Sequence, residues 1–108
     1  MATTQASVAL ATVPEAVTVS RPVTLGVDGL FAVQAGVPLA EAMDALGVLL
    51  DTAEAATLGA AEAGGGGQDC SGTVWAVQHL LQMARALNSS IQSGFVAAQR
   101  GKDAGGRA

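Results

Sequence analysis

Apolar residues recur every three or four positions through two long stretches of this chain, which is the period of one helix face. In the first stretch Leu39, Met43, Leu46, Leu50, Ala53, Thr57 and Ala60 step by four and three, and Ala42, Leu49 and Ala56 widen the stripe. In the second, Val77, Leu80, Ala84, Leu87 and Ile91 repeat the spacing, and Phe95 and Ala98 continue it. The pattern predicts one helix over about residues 38–63 and another over about 72–99. Pro38 suits the first helical position, where its missing N–H costs nothing, and Glu41 suits the positive end of the helix. Asp69, Ser71 and Thr73 each suit the N-cap of the second helix.

Residues 64–70 separate the two patterns and open with Gly64-Gly-Gly-Gly67. Four glycines in a row lose the most backbone freedom on ordering, so this stretch reads as a flexible loop. It does not read as a phosphate cradle, because no Lys-Ser or Lys-Thr follows it and no buried strand precedes it. Inside the first helix, Gly47 and Gly59 each weaken the helix by about 1 kcal/mol relative to Ala. In the second, Asn88-Ser-Ser90 is weak helix sequence and Gly94 is an alternative end point. Continuing to Gln99 gives a helix of about 27 residues, or about 40 Å, which matches the first.

The flanks carry weaker signals. Residues 1–29 are rich in Thr, Val, Ala and Ser and are interrupted by Pro14 and Pro22. Val17–Ser20 and Val23–Leu25 alternate as strands do, but each is short, and an isolated two-stranded hairpin is marginal in water. A flexible arm, disordered or extended, is expected there, with the alternative that one segment lies along the helices. Phe31 and Val33 are expected to fold back over the first helical turn. Residues 100–108 are Gly, Ala and charge, and a disordered tail is expected.

The fold class is therefore all-α: an antiparallel two-helix hairpin over residues 30–99 with an N-terminal arm and a C-terminal tail. Two helices bury only one face each against one another. Association into a four-helix bundle is expected, through Leu39, Met43, Leu46, Leu50, Val77, Leu80, Ala84, Leu87 and Ile91. The partner is a second copy or another helical protein.

Charge narrows the partners. The net charge is −4, and Arg21, Arg85, Arg100, Lys102 and Arg107 are scattered, whereas a nucleic-acid binder clusters its cations. No uninterrupted apolar run approaches the roughly 20 residues that cross a membrane. The stretch from Met1 to Val13 lacks the basic and apolar regions of a signal peptide. Cys70 is the single cysteine, so there is no internal disulfide and a reducing compartment is the default. Together these point to the cytoplasm.

Chemistry is sparse. Trp75 and His79 are four apart and stack on one helix face, beside the apolar stripe. They form either a small ligand or partner contact, or, more plainly, a cover for the end of the core with His79 against the indole. Cys70 near the helix start and His79 do not make an enzyme without an oxyanion site and a concave scaffold. One His, one Cys and scattered carboxylates do not close a metal site. Asp44, Asp51 and Glu54 read as a solvated face, and Arg85 as a surface partner of Asp51 or Glu54. No catalytic, cofactor-binding or metal-binding residue is expected, and the protein does not read as an enzyme. The competing reading is a small-molecule or redox-responsive regulator using Trp75, His79 and Cys70.

Two motifs together resemble a known family. Leu30-Phe-Ala-Val-Gln-Ala-Gly-Val-Pro38 leads into Glu41-Ala-Met-Asp-Ala-Leu46 and Leu49-Leu50. After a loop comes Val74-Trp-Ala-Val-Gln-His-Leu-Leu-Gln-Met-Ala-Arg-Ala-Leu87. Over residues 30–92 the chain resembles short proteobacterial proteins of the domain-of-unknown-function 3077 family, although its Gly-rich loop departs from that pattern. The resemblance implies a bacterial helical protein and no catalytic residue.

Overall fold

The computed structural model describes residues 15–26, 29–67 and 69–107. It is a two-helix hairpin with a small sheet packed against its second helix. Strand β1 (Arg21–Val23) pairs antiparallel with β2 (Phe31–Val33), with Arg21 opposite Val33 and Val23 opposite Phe31. Helix α1 (Leu39–Gly65) and helix α2 (Ser71–Arg107) follow. Pro38 caps α1 from just outside it.

The line of contact between the helices repeats every seven residues. On α1 it runs through Ala42, Leu46, Leu49, Ala53, Ala56, Ala60 and Ala63, all buried or half-buried. On α2 it runs through Val77, Leu80, Ala84, Leu87, Ile91, Gly94 and Ala98, again buried or half-buried. This alternation of three and four is the coiled-coil period. On α1 it is not the line that the large side chains mark. Met43 and Leu50 are 58% and 47% exposed, and alanines take the centre. Small side chains let the backbones approach, so the bulky residues beside them are pushed to the rim. Among the described apolar residues only Ala42, Ala53 and Ala84 on the helices and Val23 in the sheet are buried.

The arm takes the alternative course, with one segment lying along the helices. Residues 1–14 lie outside the described residues, but 15–26 are fixed against the helices. Thr18 is buried: its N–H donates to the Val37 carbonyl at 2.8 Å, and its carbonyl accepts from Gly36 N–H at 3.0 Å. Its hydroxyl donates to the Gln34 carbonyl at 2.6 Å and accepts from Val37 N–H at 3.0 Å. The Ala16 carbonyl accepts from Leu39 N–H at 3.1 Å, which satisfies an open donor of the α1 start where no side chain caps it. Strand pairing is at 21–23 with 31–33, not within 17–25. Val23, rather than Phe31, is the apolar residue that the sheet buries, and Phe31 is 51% exposed.

Two sites on α2 let the arm settle. The fully buried Ser90 hydroxyl accepts from Val19 N–H at 3.0 Å and donates to the Val19 carbonyl, so one side chain completes both polar groups of one arm residue. One turn on, a Cβ at Gly94 would collide with the Val17 carbonyl. Only glycine lets the arm backbone lie against the helix there. The serines and glycine that weaken the helix on paper are its docking face.

α2 continues to Arg107, beyond Gln99 and through the segment expected to be a disordered tail. Extending an existing helix needs one residue fixed per hydrogen bond gained, so a long nucleated helix carries poor formers past its packed part.

Candidate association surface

One face of the hairpin is open, bordered at Gln82 and Arg85 by Pro22 and Thr24 of the arm. A groove of about 480 Å³ runs between the helices, lined by Leu46, Leu50, Gln78, Leu81, Ala84 and Arg85 among others. It continues through Leu50 and Leu81 into a second stretch floored by Ala53 and Val77 and walled by Leu58 and Ala61. Thr57 and Val77 then carry it on to Val74 near the loop. Leu50, Leu58, Val74 and Leu81 are 47%, 61%, 57% and 40% exposed. Glu54 and Arg85 are the charged residues lining it. Arg85 makes no ion pair with Asp51 or Glu54.

The residues that periodicity assigns to association divide in two. Leu39, Leu46, Val77, Leu80, Leu87 and Ile91 are half-buried and Ala84 is buried, so the hairpin itself covers much of them. Met43 and Leu50 stay exposed. Leu58, Val74 and Leu81, which the periodicity does not single out, are the further large side chains on the open face. Their signal is the second apolar residue beside each buried one: Leu50 beside Leu49, Leu81 beside Leu80.

Trp75 does not cover the core. It is 64% exposed, roughly 100° around α2 from Val74 and far from the line facing α1. Its ring centroid lies 6.4 Å from that of His79, with the planes tilted by 41°. The two rings neighbour one another, as their spacing requires, on an outer flank and not beside the packed stripe. Cys70 is a half-buried free thiol close to Gly64, where α2 begins against the end of α1. Nine residues of helix put it about 13 Å from His79, too far for a nucleophile–base pair. Among the described residues no group of three or more His, Cys, Asp or Glu side chains is placed to hold a metal ion. No described helix is long and apolar enough to cross a membrane.

At the loop, the Asp69 carboxylate accepts from Ser71 N–H at 3.0 Å and fixes the first turn of α2. That backbone bond, with a second from the Ser71 side chain, holds the Asp69 carboxyl below its ordinary value of 3.8.

The chain matches no family model, no curated protein and no solved structure. Its open groove and its arm-binding face are the features from which a function can be argued.

Proposed function

We propose that this protein works by association and not by catalysis. Two copies lay their open grooves together, α1 and α2 of each forming one layer of a four-helix bundle. The observation that carries this reading is the division of apolar side chains: alanines fill the interior, while Leu50, Leu58, Val74 and Leu81 line one exposed face. Each is already about half covered, so burying the rest contributes on the order of 1 kcal/mol apiece. The available area also fits. A helix of 27 residues is about 40 Å long, and two side by side present a face about 20 Å wide, or roughly 800 Å². A stable interface needs about that area per partner. A bacterial cytoplasmic protein, acidic and with a single free thiol, fits the same reading.

The test is the mass in solution. Sedimentation or light scattering at about 50 μM is expected to give twice the chain mass. Leu50→Glu with Leu81→Glu is expected to give the chain mass while circular dichroism stays helical, since both residues are exposed in the hairpin. A wild-type chain that is monomeric and folded at that concentration would defeat the homodimer.

A further inference from the structure

Arg21 differs from every other charged side chain described. It is half-buried, whereas the others are exposed. Its Nε–H donates to Ser89 Oγ at 3.4 Å, Nη1 to the Ser20 carbonyl at 3.1 Å and Nη2 to Ser93 Oγ at 2.5 Å. All three acceptors are neutral, and no described carboxylate pairs with it. A guanidinium withdrawn from water without a counter-charge is costly, and three bonds to a helix and a strand fix the plane of its fork. Two of its five N–H donors remain to be used.

Beside it lies a cavity of about 490 Å³ between β1 and α2. Arg21, Gln92, Ser93 and Arg100 line it, and no acidic residue among those described does. Arg100 is seven residues after Ser93, so the two share one face of α2. Two of the five cations of a chain with net charge −4 thus converge on one recess.

We propose that this recess binds a small oxyanion, a phosphate or carboxylate group. Arg21 presents its remaining donors as a fixed fork, Arg100 adds the second positive charge, and the Ser93 hydroxyl and Gln92 amide supply neutral hydrogen bonds. The site lies on the arm side of α2, away from the open groove, and stands or falls independently of dimerisation. It joins the arm to the helix, so an occupied recess also holds the arm down.

The test is an NMR titration of the full chain with inorganic phosphate, and in parallel with acetate, at constant ionic strength. Saturable shifts of the Arg21 and Ser93 amides in the millimolar range are expected with at least one of them. Arg100→Gln removes a lining charge, and Lys102→Gln removes the same charge about 200° around the helix. Arg100→Gln is expected to weaken binding at least about tenfold more than Lys102→Gln, the size of one charge-assisted contact. Shifts that never saturate with either anion, or a difference smaller than that between the two variants, would show diffuse attraction only and overturn the site. Both substitutions fall on exposed side chains, and helical circular dichroism confirms that each variant is folded.

Discussion

The two faces of this hairpin solve the same problem by opposite chemistry. On one, Ser90 and Gly94 receive the arm backbone with a hydroxyl and an absent side chain, and Ser89 and Ser93 receive the Arg21 side chain. On the other, Leu50, Leu58, Val74 and Leu81 present apolar surface, and nothing within the described chain covers it. Backbone can be received by a polar, small-residue face because its N–H and C=O groups find partners there. An apolar face repels the same backbone and accepts only other apolar side chains. The arm is thereby received by the serine and glycine positions of α2, and the groove beside it stays open.

The sharpest way to break this comparison is at Gly94. Gly94→Val drives a side chain into the Val17 carbonyl and is expected to expel the arm, costing about 2–4 kcal/mol in chemical denaturation. Gly47 is the control. A Cβ there meets nothing, so Gly47→Ala is expected to stabilise by about 0.5–1 kcal/mol through backbone entropy and helix propensity. Equal effects of the two substitutions would mean that the arm contact contributes nothing.

Ser90→Ala comes next in size. It leaves both polar groups of Val19 without their partner and is expected to cost about 1–2 kcal/mol, reduced somewhat by the better helix propensity of Ala. Hydrogen exchange distinguishes this from general loosening. The Val19 amide is expected to exchange faster, while amides at the centre of the α1–α2 contact, such as that of Ala53, keep their protection relative to the whole. Uniform acceleration would assign Ser90 to the hairpin and not to the arm.

The hairpin was legible because a seven-residue apolar repeat is a local signal, present within each helix separately. Its exact facing was not. Leu50 and Met43 are larger than Ala53 and Ala56 and dominate a reading by hydrophobicity, yet close helix approach favours the smaller residues. Trp75 misleads in the same way, being rare and aromatic but placed on the outer flank. The arm was illegible for a different reason. Val19 meets Ser90 across 71 positions, and neither Val17–Ser20 nor Asn88–Ser90 shows a strong tendency by itself. Only together do weak strand and weak helix become a docked pair. The recess around Arg21 inherits that difficulty, since the arm delivers one arginine to a helix that carries the other.

The smallest expected effect lies at the loop, remote from both faces. The folded-state pKa of Asp69 is lowered, so its stabilising contribution is complete above the ordinary value of 3.8 and is lost as pH falls through the lowered one. Because the carboxylate is exposed, the effect is confined to the first turn of α2 and shows as fraying at acid pH. The larger cause is the Ser71 backbone N–H and the smaller is the Ser71 side chain. Ser71→Ala is therefore expected to raise the Asp69 midpoint only part of the way towards 3.8 in a carboxylate-resolved NMR titration. A midpoint fully restored to 3.8 would assign the shift to the serine hydroxyl instead. It would also remove the Asp69–Ser71 backbone bond as the feature that starts the second helix.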